Sequence, residues 1–245
     1  MDIIAEIGLN HGGSLERAVE LIHTAKECGA TMAKFQFYYT DVLCANRNSF
    51  DSYKLLDKIK MHPQWIPILA RECKGIKFLC TPFCNYSAEA IEPYVEMFKI
   101  ASPEVCKINF VKHVASYGKP IILSTGKCTY EQLDRIFDQV NVPISLLYCK
   151  SFYPALPADY DLNEIDRLRK RYQCEVGISC HCAGLKTAIE AVESHNASIV
   201  EKHFMLHDGN CVDSVVSLRP TDFKKMCDII RRNHGYSSIS DNYTK

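Results

Sequence analysis

The feature that most constrains the fold of this chain is a regular alternation of short apolar runs with longer amphipathic segments. The apolar runs occupy residues 2–8, 32–37, 76–81, 97–102, 120–125, 144–149, 174–179 and 198–204. Short apolar runs that alternate with segments of helical period are typical of parallel strands buried on both faces by helices. Eight such units in 245 residues predict a single α/β domain of the (β/α)8 TIM barrel class, since that fold takes about 250 residues. An open doubly wound sheet is the alternative, but no GxGxxG follows the first run to support its dinucleotide-binding form.

The segments between the runs predict the helices. In "SLERAVELIHTAKECGA", Ser14 is the expected N-cap and Gly29 the expected stop. Further helices are predicted in "YSAEAIEPYV", "NFVKHVASYG", "TYEQLDRIFDQV", "NEIDRLRKRY", "LKTAIEAVESHN" and "RPTDFKKMCDIIRRN". Residues 38–62 are mixed in character and predict an elaborated loop after the second strand. We predict one barrel domain over residues 1–233, followed by a frayed polar tail at 234–245.

Composition limits the class of protein. The 29 basic and 29 acidic side chains give a net charge of zero, so there is no basic surplus to bind nucleic acid or an anionic membrane. No run approaches the ~18 apolar residues of a membrane span, and the N-terminus lacks the pattern of a secretion signal. The 13 cysteines show no regular spacing. A reduced cytoplasmic enzyme with mostly buried, non-catalytic cysteines is therefore expected.

Polar side chains follow almost every predicted strand. In a barrel, the carboxyl ends of the strands meet on one face, and that face carries the functional site. The residues at these ends are Glu6, Lys34, Gln36, Thr81, Lys99, Ser102, Glu104, Ser124, Tyr153, Ser179, His181, Glu201 and His203. We therefore predict a polar site at the carboxyl ends of the strands.

Lys34 and Lys99 lie inside otherwise apolar runs, where an unpaired charge is costly to bury. One interpretation is that Glu6 or Glu201 neutralises them. The other is that the two lysines and the neighbouring hydroxyl groups bind an anionic ligand through its phosphate or carboxylate oxygens. The sequence leaves both interpretations open.

His181 lies just after the seventh run and His203 near the end of the eighth, and the two runs should be neighbouring strands about 5 Å apart. Two converging imidazoles would form half of a divalent metal site with open positions for water and substrate. The alternative is that both histidines are core or loop residues that bind no metal. Cys180 and Cys182 flank His181 and should point away from it, so we expect them to lie outside the site.

These motifs together resemble the N-acetylneuraminate (sialic acid) synthase family. The matching stretches are "IIAEIGLNHGGSLERAVELI", "AKFQFY", "FLCTPF", "FKIASPE", "KPIILSTGK", "CKSFYPA", "VGIS-CH", "IVEKHF" and "VDSVVSLRP", and they run in family order along nearly the whole chain. The resemblance implies a TIM barrel that condenses phosphoenolpyruvate with an N-acyl hexosamine such as N-acetylmannosamine. The implied products are a nonulosonic 2-keto acid and phosphate.

The resemblance also implies a role for each site residue. Phosphoenolpyruvate would be held by Lys34, Thr81, Lys99, Ser102, Ser124 and Ser179, and the sugar by Gln36, Glu104, Tyr153 and Asp213. His181 and His203 would hold Mn²⁺ or Mg²⁺, while Glu6, Lys34 and Lys99 would be the catalytic groups. The metal would polarise the sugar aldehyde.

The chain departs from the family pattern at several positions. Cys180 and Cys182 replace the usual neighbours of the first metal histidine, and Ser214 replaces a histidine after Asp213. The family's C-terminal antifreeze-like domain is expected to be absent, because the chain ends at Lys245. The resemblance implies a homodimer, and a separate chain could supply the accessory domain. The alternative hypotheses are a related synthase acting on a different aldose and a non-catalytic barrel that serves as a binding subunit.

Overall fold

A computed structural model describes residues 1–45, 50–209 and 211–233 of the protein. The tail predicted at 234–245 lies outside the described residues, and the domain boundary at residue 233 stays a prediction. The strands are β1 Asp2–Gly8, β2 Met32–Phe37, β3 Lys77–Pro82, β4 Phe98–Ile100, β5 Ile121–Ser124, β6 Ile144–Cys149, β7 Val176–Cys180 and β8 Ile199–His203.

The eight strands form one parallel sheet in the order β3-β2-β1-β8-β7-β6-β5-β4. β1 pairs with both β2 and β8, so the first and last strands of the chain are neighbours. The end strands β3 and β4 also lie side by side, which brings the sheet close to complete closure. This is the predicted (β/α)8 TIM barrel.

Helices cover the outside of the barrel. They are α1 Leu15–Glu27, α2 Thr40–Cys44, α3 Phe50–Ile59, α4 Ile66–Glu72, α5 Asn85–Ile91, α6 Ser102–Val105, α7 Ile108–Ala115, α8 Tyr130–Gln139, α9 Asn163–Tyr172, α10 Lys186–His195 and α11 Pro220–Asn233. The predicted cap of α1 is confirmed, because the Ser14 side chain accepts a hydrogen bond from the Arg17 N–H at 3.1 Å. Gly29 follows the helix with a φ of 99°, a conformation that glycine adopts without a Cβ clash.

The elaborated loop predicted at 38–62 is wrong in part, because this segment contains α2 and α3. Leu56 and Ile59, three positions apart on α3, pack against Leu9 and Tyr38 of the segments that follow β1 and β2. The apolar residues of α3 do recur at helical spacing, so the sequence carried a signal for this helix that the prediction of a loop overlooked. The short helix α4 was not predicted at all.

The interior of the barrel changes from apolar to polar along the strands. An apolar cluster inside the barrel contains Ile4, Met32, Leu79, Ile122, Leu147 and Ile199. Side chains two positions further along a strand point to the same face, and those residues are Glu6, Lys34, Thr81, Ser124, Cys149 and Glu201. The apolar cluster is thus the floor of a polar site at the carboxyl ends.

All 13 cysteines lie among the described residues and are free thiols, and most of them are buried. Cys180 and Cys182 belong to the apolar layer between the sheet and the helices. This placement confirms that they point away from the barrel interior. Within the described ranges, none of the helices combines the length and apolar character needed to cross a membrane.

Candidate active site

A cavity of about 280 Å³ opens at the carboxyl ends of the strands. Most of the predicted site residues line it: Glu6, Lys34, Gln36, Thr81, Lys99, Ser102, Ser124, Tyr153, Ser179, His181 and His203. All eight strands contribute a residue to this lining. The sequence therefore identified the face of the barrel and most of the groups on it.

Glu201 is the central charge of the cavity. Its carboxylate lies 3.6 Å from the Nζ of Lys34 and 3.6 Å from the Nζ of Lys99. The hydroxyl group of Ser179 donates a hydrogen bond to it at 3.0 Å. Burial raises the pKa of this carboxyl, but Lys34 and Lys99 outweigh that effect and lower the pKa to about 2. Glu201 is therefore ionised at neutral pH.

Lys34 forms the closest ion pair of the cavity. Its Nζ lies 2.7 Å from Oε2 of Glu6, and Nε2 of Gln36 donates to Oε1 of the same carboxylate at 2.8 Å. Burial lowers the pKa of Lys34, but Glu201 and Glu6 overcome that effect and raise it. A protonated Lys34 thus lies between two carboxylates.

Lys99 has a less compensated charge. Its Nζ donates to the hydroxyl oxygen of Ser124 at 2.7 Å, and its carboxylate neighbour is the more distant Glu201. Burial lowers the pKa of Lys99 in spite of Glu201. Glu6 and Glu201 thus neutralise the two lysines, as the first interpretation predicted. Both ammonium groups also line the cavity, and their binding of an anionic ligand stays a prediction.

The two predicted metal ligands lie together, with ring centroids 5.5 Å apart. Nδ1 of His181 lies 2.5 Å from the backbone oxygen of Lys150. Donation from Nδ1–H to that oxygen leaves a lone pair on Nε2, which accepts from the Tyr153 hydroxyl at 3.1 Å. Burial, reinforced by His203, lowers the pKa of His181 to about 4, so its imidazole is neutral at pH 7.

This arrangement fits a divalent ion held by two imidazoles. A neutral histidine whose other nitrogen donates to a backbone carbonyl is the usual form of a metal ligand. In the part of the chain that the structure describes, no group of three or more His, Cys, Asp and Glu could hold a metal. Two histidines would therefore leave the remaining positions to water or substrate.

Two of the predicted sugar contacts do not line the cavity. Glu104 is buried in the first turn of α6, with its Oε1 3.3 Å from Nζ of Lys107. Asp213 lies beside the histidine pair, with its Oδ2 3.4 Å from Nδ1 of His203. Its position suits a residue that orients His203, and its contact with a sugar stays a prediction.

Some lining residues were not among the predicted site residues. The sequence predicted Glu201 at a strand end and as a partner of the lysines, but not as a site residue. Glu201 follows Ile199 of the apolar floor by two residues, and this spacing places its side chain inside the barrel. Cys149 likewise follows Leu147 of the apolar floor by two residues, so its side chain also faces the barrel interior. Lys127 also lines the cavity, but it lies in a turn, where period-two alternation gives no guidance.

A second cavity of about 380 Å³ lies between α8, α9 and the end of β6. Its charged lining includes Arg167, which is ion-paired with both Asp161 and Glu164 on the surface. These charges compensate one another in water. The second cavity is therefore the weaker candidate for an anion-binding site.

The fold and the cavity define a class of protein: a TIM barrel with a cavity lined by lysines, glutamates and hydroxyl groups at the carboxyl ends of its strands. Within that class, the chain belongs to the NeuB family, whose model matches residues 21–238. The chain is 34% identical to pseudaminic acid synthase of Campylobacter jejuni, over 94% of this chain and 73% of the relative. It is 31% identical to N,N'-diacetyllegionaminic acid synthase of Legionella pneumophila, over 94% and 71% of the two chains.

Solved structures agree with this assignment. The N-acetylneuraminic acid synthetase of Leptospira borgpetersenii, crystallised with citrate, superimposes with a TM-score of 0.90 at 29% identity. The alignment covers 99% of this chain and 87% of that one. A truncated 3-deoxy-D-arabino-heptulosonate 7-phosphate synthase from Thermotoga maritima gives a TM-score of 0.72 at 16% identity, which shows a shared fold alone.

Proposed function

We propose that this protein condenses phosphoenolpyruvate with an N-acyl hexosamine such as N-acetylmannosamine, giving a nonulosonic acid and inorganic phosphate. The observation that carries the proposal is the combination of two buried lysines, a ring of hydroxyl groups and a histidine pair around one cavity. Relatives that span most of this chain are synthases of pseudaminic and legionaminic acids, which supports the same reaction class here.

In this reaction, Lys34 and Lys99 offset the negative charge of phosphoenolpyruvate as its phosphate leaves. Ser102, Ser124, Ser179 and Thr81 supply hydroxyl groups to its oxygens. Lys99 Nζ already holds the hydroxyl of Ser124 at 2.7 Å, which orients that group before substrate binds. The protein thus contributes a preorganised set of ammonium and hydroxyl groups to the anion.

Glu6 is the group proposed to handle a proton. Lys34 and Gln36 hold its two carboxylate oxygens at 2.7 and 2.8 Å. C3 of phosphoenolpyruvate attacks the sugar aldehyde, and water adds to C2. Glu6 accepts one proton of that water, and this proton goes to the alkoxide oxygen left by the attack on the aldehyde. The tetrahedral C2 then forms its carbonyl group as the C–O bond to phosphate breaks, and the remaining hydroxyl proton leaves with the phosphate.

His181 and His203 would hold the divalent metal, Mn²⁺ or Mg²⁺. When bound, this ion would supply Lewis-acid polarisation of the aldehyde. Tyr153, whose hydroxyl contacts His181 at 3.1 Å, and Gln36 would contact the sugar, with Glu104 and Asp213 as further predicted contacts. A homodimer, a partner chain that supplies an accessory domain, and a cytoplasmic location also stay predictions.

The proposal is tested by measuring phosphate release from phosphoenolpyruvate with the purified chain, Mn²⁺ or Mg²⁺, and a panel of aldoses that includes N-acetylmannosamine and sugar phosphates. We expect release that depends on an N-acyl hexosamine and stops when a chelator is added. Release with a different aldose alone would identify a related synthase. Absence of both release and phosphoenolpyruvate binding would leave a non-catalytic barrel.

A further inference from the structure

The cavity has an uneven distribution of charge. On the side of β1, β2 and β8, Lys34 lies 2.7 Å from the carboxylate of Glu6 and 3.6 Å from that of Glu201. On the side of β4 and β5, Lys99 has Glu201 as its carboxylate neighbour, at 3.6 Å. The less closely paired of the two ammonium groups therefore lies toward β4 and β5, next to the hydroxyl groups of Ser102 and Ser124.

Lys127 adds a third ammonium group to this side. It lines the same cavity from the turn between β5 and α8, and it is exposed at the opening. Across residues 1–45, 50–209 and 211–233, no ion pair joins Lys127 to a carboxylate. Two lysines and two glutamates balance one another inside the cavity, so Lys127 gives the lining a net positive charge.

The turn that carries Lys127 is held in place. The Thr125 N–H donates to the Leu147 carbonyl at 2.9 Å, and the Gly126 N–H donates to the Ser102 hydroxyl oxygen at 3.1 Å. A Cβ on Gly126 would lie 2.7 Å from Sγ of Cys149 and 2.8 Å from Oγ of Ser151. The backbone around Lys127 is thus packed against β6, and only its side chain is free to reach the cavity opening.

We propose that Lys127 binds the phosphoryl group of phosphoenolpyruvate at the β4–β5 side of the cavity, as a binding determinant beyond Lys34 and Lys99. This inference rests on the proposed function. A phosphoryl dianion is the most highly charged part of that substrate and matches the side with Lys99, Lys127 and two serine hydroxyls. The opposite side, with the histidine pair and Tyr153, is left for the acceptor sugar.

The test compares Lys127→Met with Lys127→Arg and with Lys112→Met, which removes the same charge from the exposed surface of α7. Dissociation constants for phosphoenolpyruvate are measured by calorimetry without sugar, and inorganic phosphate is titrated as a competing ligand. We expect Lys127→Met to raise the dissociation constants of both ligands by a similar factor of about ten. This factor corresponds to the loss of one charge-assisted hydrogen bond at a partly exposed site. Lys127→Arg and Lys112→Met should bind like the wild type.

Two results would overturn the inference while leaving the proposed function intact. In the first, Lys127→Met binds phosphoenolpyruvate and phosphate with the dissociation constants of the wild type, whatever its affinity for sugar phosphates. In the second, Lys127→Met binds phosphoenolpyruvate more weakly but binds phosphate unchanged, which would mean that Lys127 contacts another part of the substrate. Failure of the wild type to bind phosphoenolpyruvate would instead remove the proposed function on which the inference rests.

Discussion

At the scale of single residues, Glu201 joins the two halves of the charged cavity. It lies within 3.6 Å of both buried lysines, and its other contact is the hydroxyl of Ser179. A buried charge cluster loses stability steeply when one member is removed, because the remaining charges are left without a partner. Glu201 should therefore matter to folding as well as to ligand binding.

We expect Glu201→Gln to lower the free energy of unfolding at pH 7 by about 3 kcal/mol, as found when one partner of a buried ion pair is removed. The pKa of Glu201 is lowered from 4.5 to about 2 in the folded protein. Its contribution is therefore fully present above pH 4.5 and is lost as the pH falls toward 2. Urea unfolding of both proteins between pH 3 and 8 measures the difference.

Glu190→Gln, on the exposed face of α10, is the matched control and should unfold like the wild type at every pH. A stability difference between wild type and Glu201→Gln that stays constant down to pH 3 would contradict the argument. Such a result would mean that packing, and not the carboxylate charge, accounts for the loss.

The predicted metal site can also be tested at the scale of single residues. We expect His203→Ala and His181→Ala each to weaken Mn²⁺ binding by at least tenfold, because either change removes one of two protein ligands. Calorimetric titration with Mn²⁺ measures this without the need for turnover. His23→Ala, on the outer helix α1, is the control and should bind Mn²⁺ unchanged. Equal affinity of His203→Ala and wild type would remove His203 from the metal site.

How far sequence predicts the site depends on where a residue lies. Glu6, Lys34 and Ser124 follow apolar strand residues at period two, so the pleat of the strand alone directs them inward. Glu104 and Lys127 lie beyond the strand ends, where the course of each turn decides the direction of the side chain. That course depends on tertiary contacts such as the Gly126–Ser102 hydrogen bond, which no local pattern encodes.

At the scale of elements, the two histidines depend on close contact between β7 and β8. Gly177 on β7 lies so close to β8 that a Cβ there would meet the Ile199 backbone oxygen at 2.0 Å. Lys202 on β8 is fully buried and donates to the backbone oxygens of Cys180, at 3.2 Å, and of Cys182. These carbonyls flank His181, so β8 fixes the end of β7 on both sides of that histidine.

We expect Gly177→Ala to destabilise the protein by about 3 kcal/mol or more, since overpacking costs about 1–3 kcal/mol even without a backbone clash. It should also weaken Mn²⁺ binding, because β7 must shift relative to β8. Urea unfolding and Mn²⁺ titration measure the two effects.

Gly184→Ala is the matched control, because a Cβ at Gly184 would have no atom within 4 Å. It should change neither stability nor Mn²⁺ affinity. If Gly177→Ala were as stable as this control, the close packing of β7 on β8 would be refuted.

The elements differ in how well local sequence predicts them. β1 and β2 match the predicted runs 2–8 and 32–37, because central strands buried on both faces are apolar along their whole length. β4 is only Phe98–Ile100 although the run 97–102 predicted six residues, since Ser102 already begins α6. The helices α2 and α3 were missed because they are extra to the regular strand–helix pattern. The helix α4 occupies the regular place between β2 and β3, but its seven residues are too few to show a helical period.

At the scale of the whole molecule, the cavity exists only when the barrel is closed. Each of the eight strands contributes at least one lining residue, from Glu6 on β1 to His203 on β8. A partly unfolded barrel would separate Lys34 from Lys99 and lose the proposed anion site. Ligand binding and global folding should therefore be linked, because ligand would bind the folded barrel and not the unfolded chain.

We accordingly expect phosphoenolpyruvate, at about 100 times its dissociation constant, to stabilise the protein by about 2.7 kcal/mol. For a domain of this size, that corresponds to a rise in Tm of about 5–10 °C. The unfolding transition should stay single, since no strand can leave without disrupting the site. Differential scanning calorimetry in the presence of phosphoenolpyruvate measures both quantities, and pyruvate at the same concentration is the control that lacks the phosphoryl group.

A rise in Tm with pyruvate equal to that with phosphoenolpyruvate would show that the lysines do not select for phosphate. A ligand-dependent shift in only one of two transitions would show that part of the barrel unfolds independently of the site.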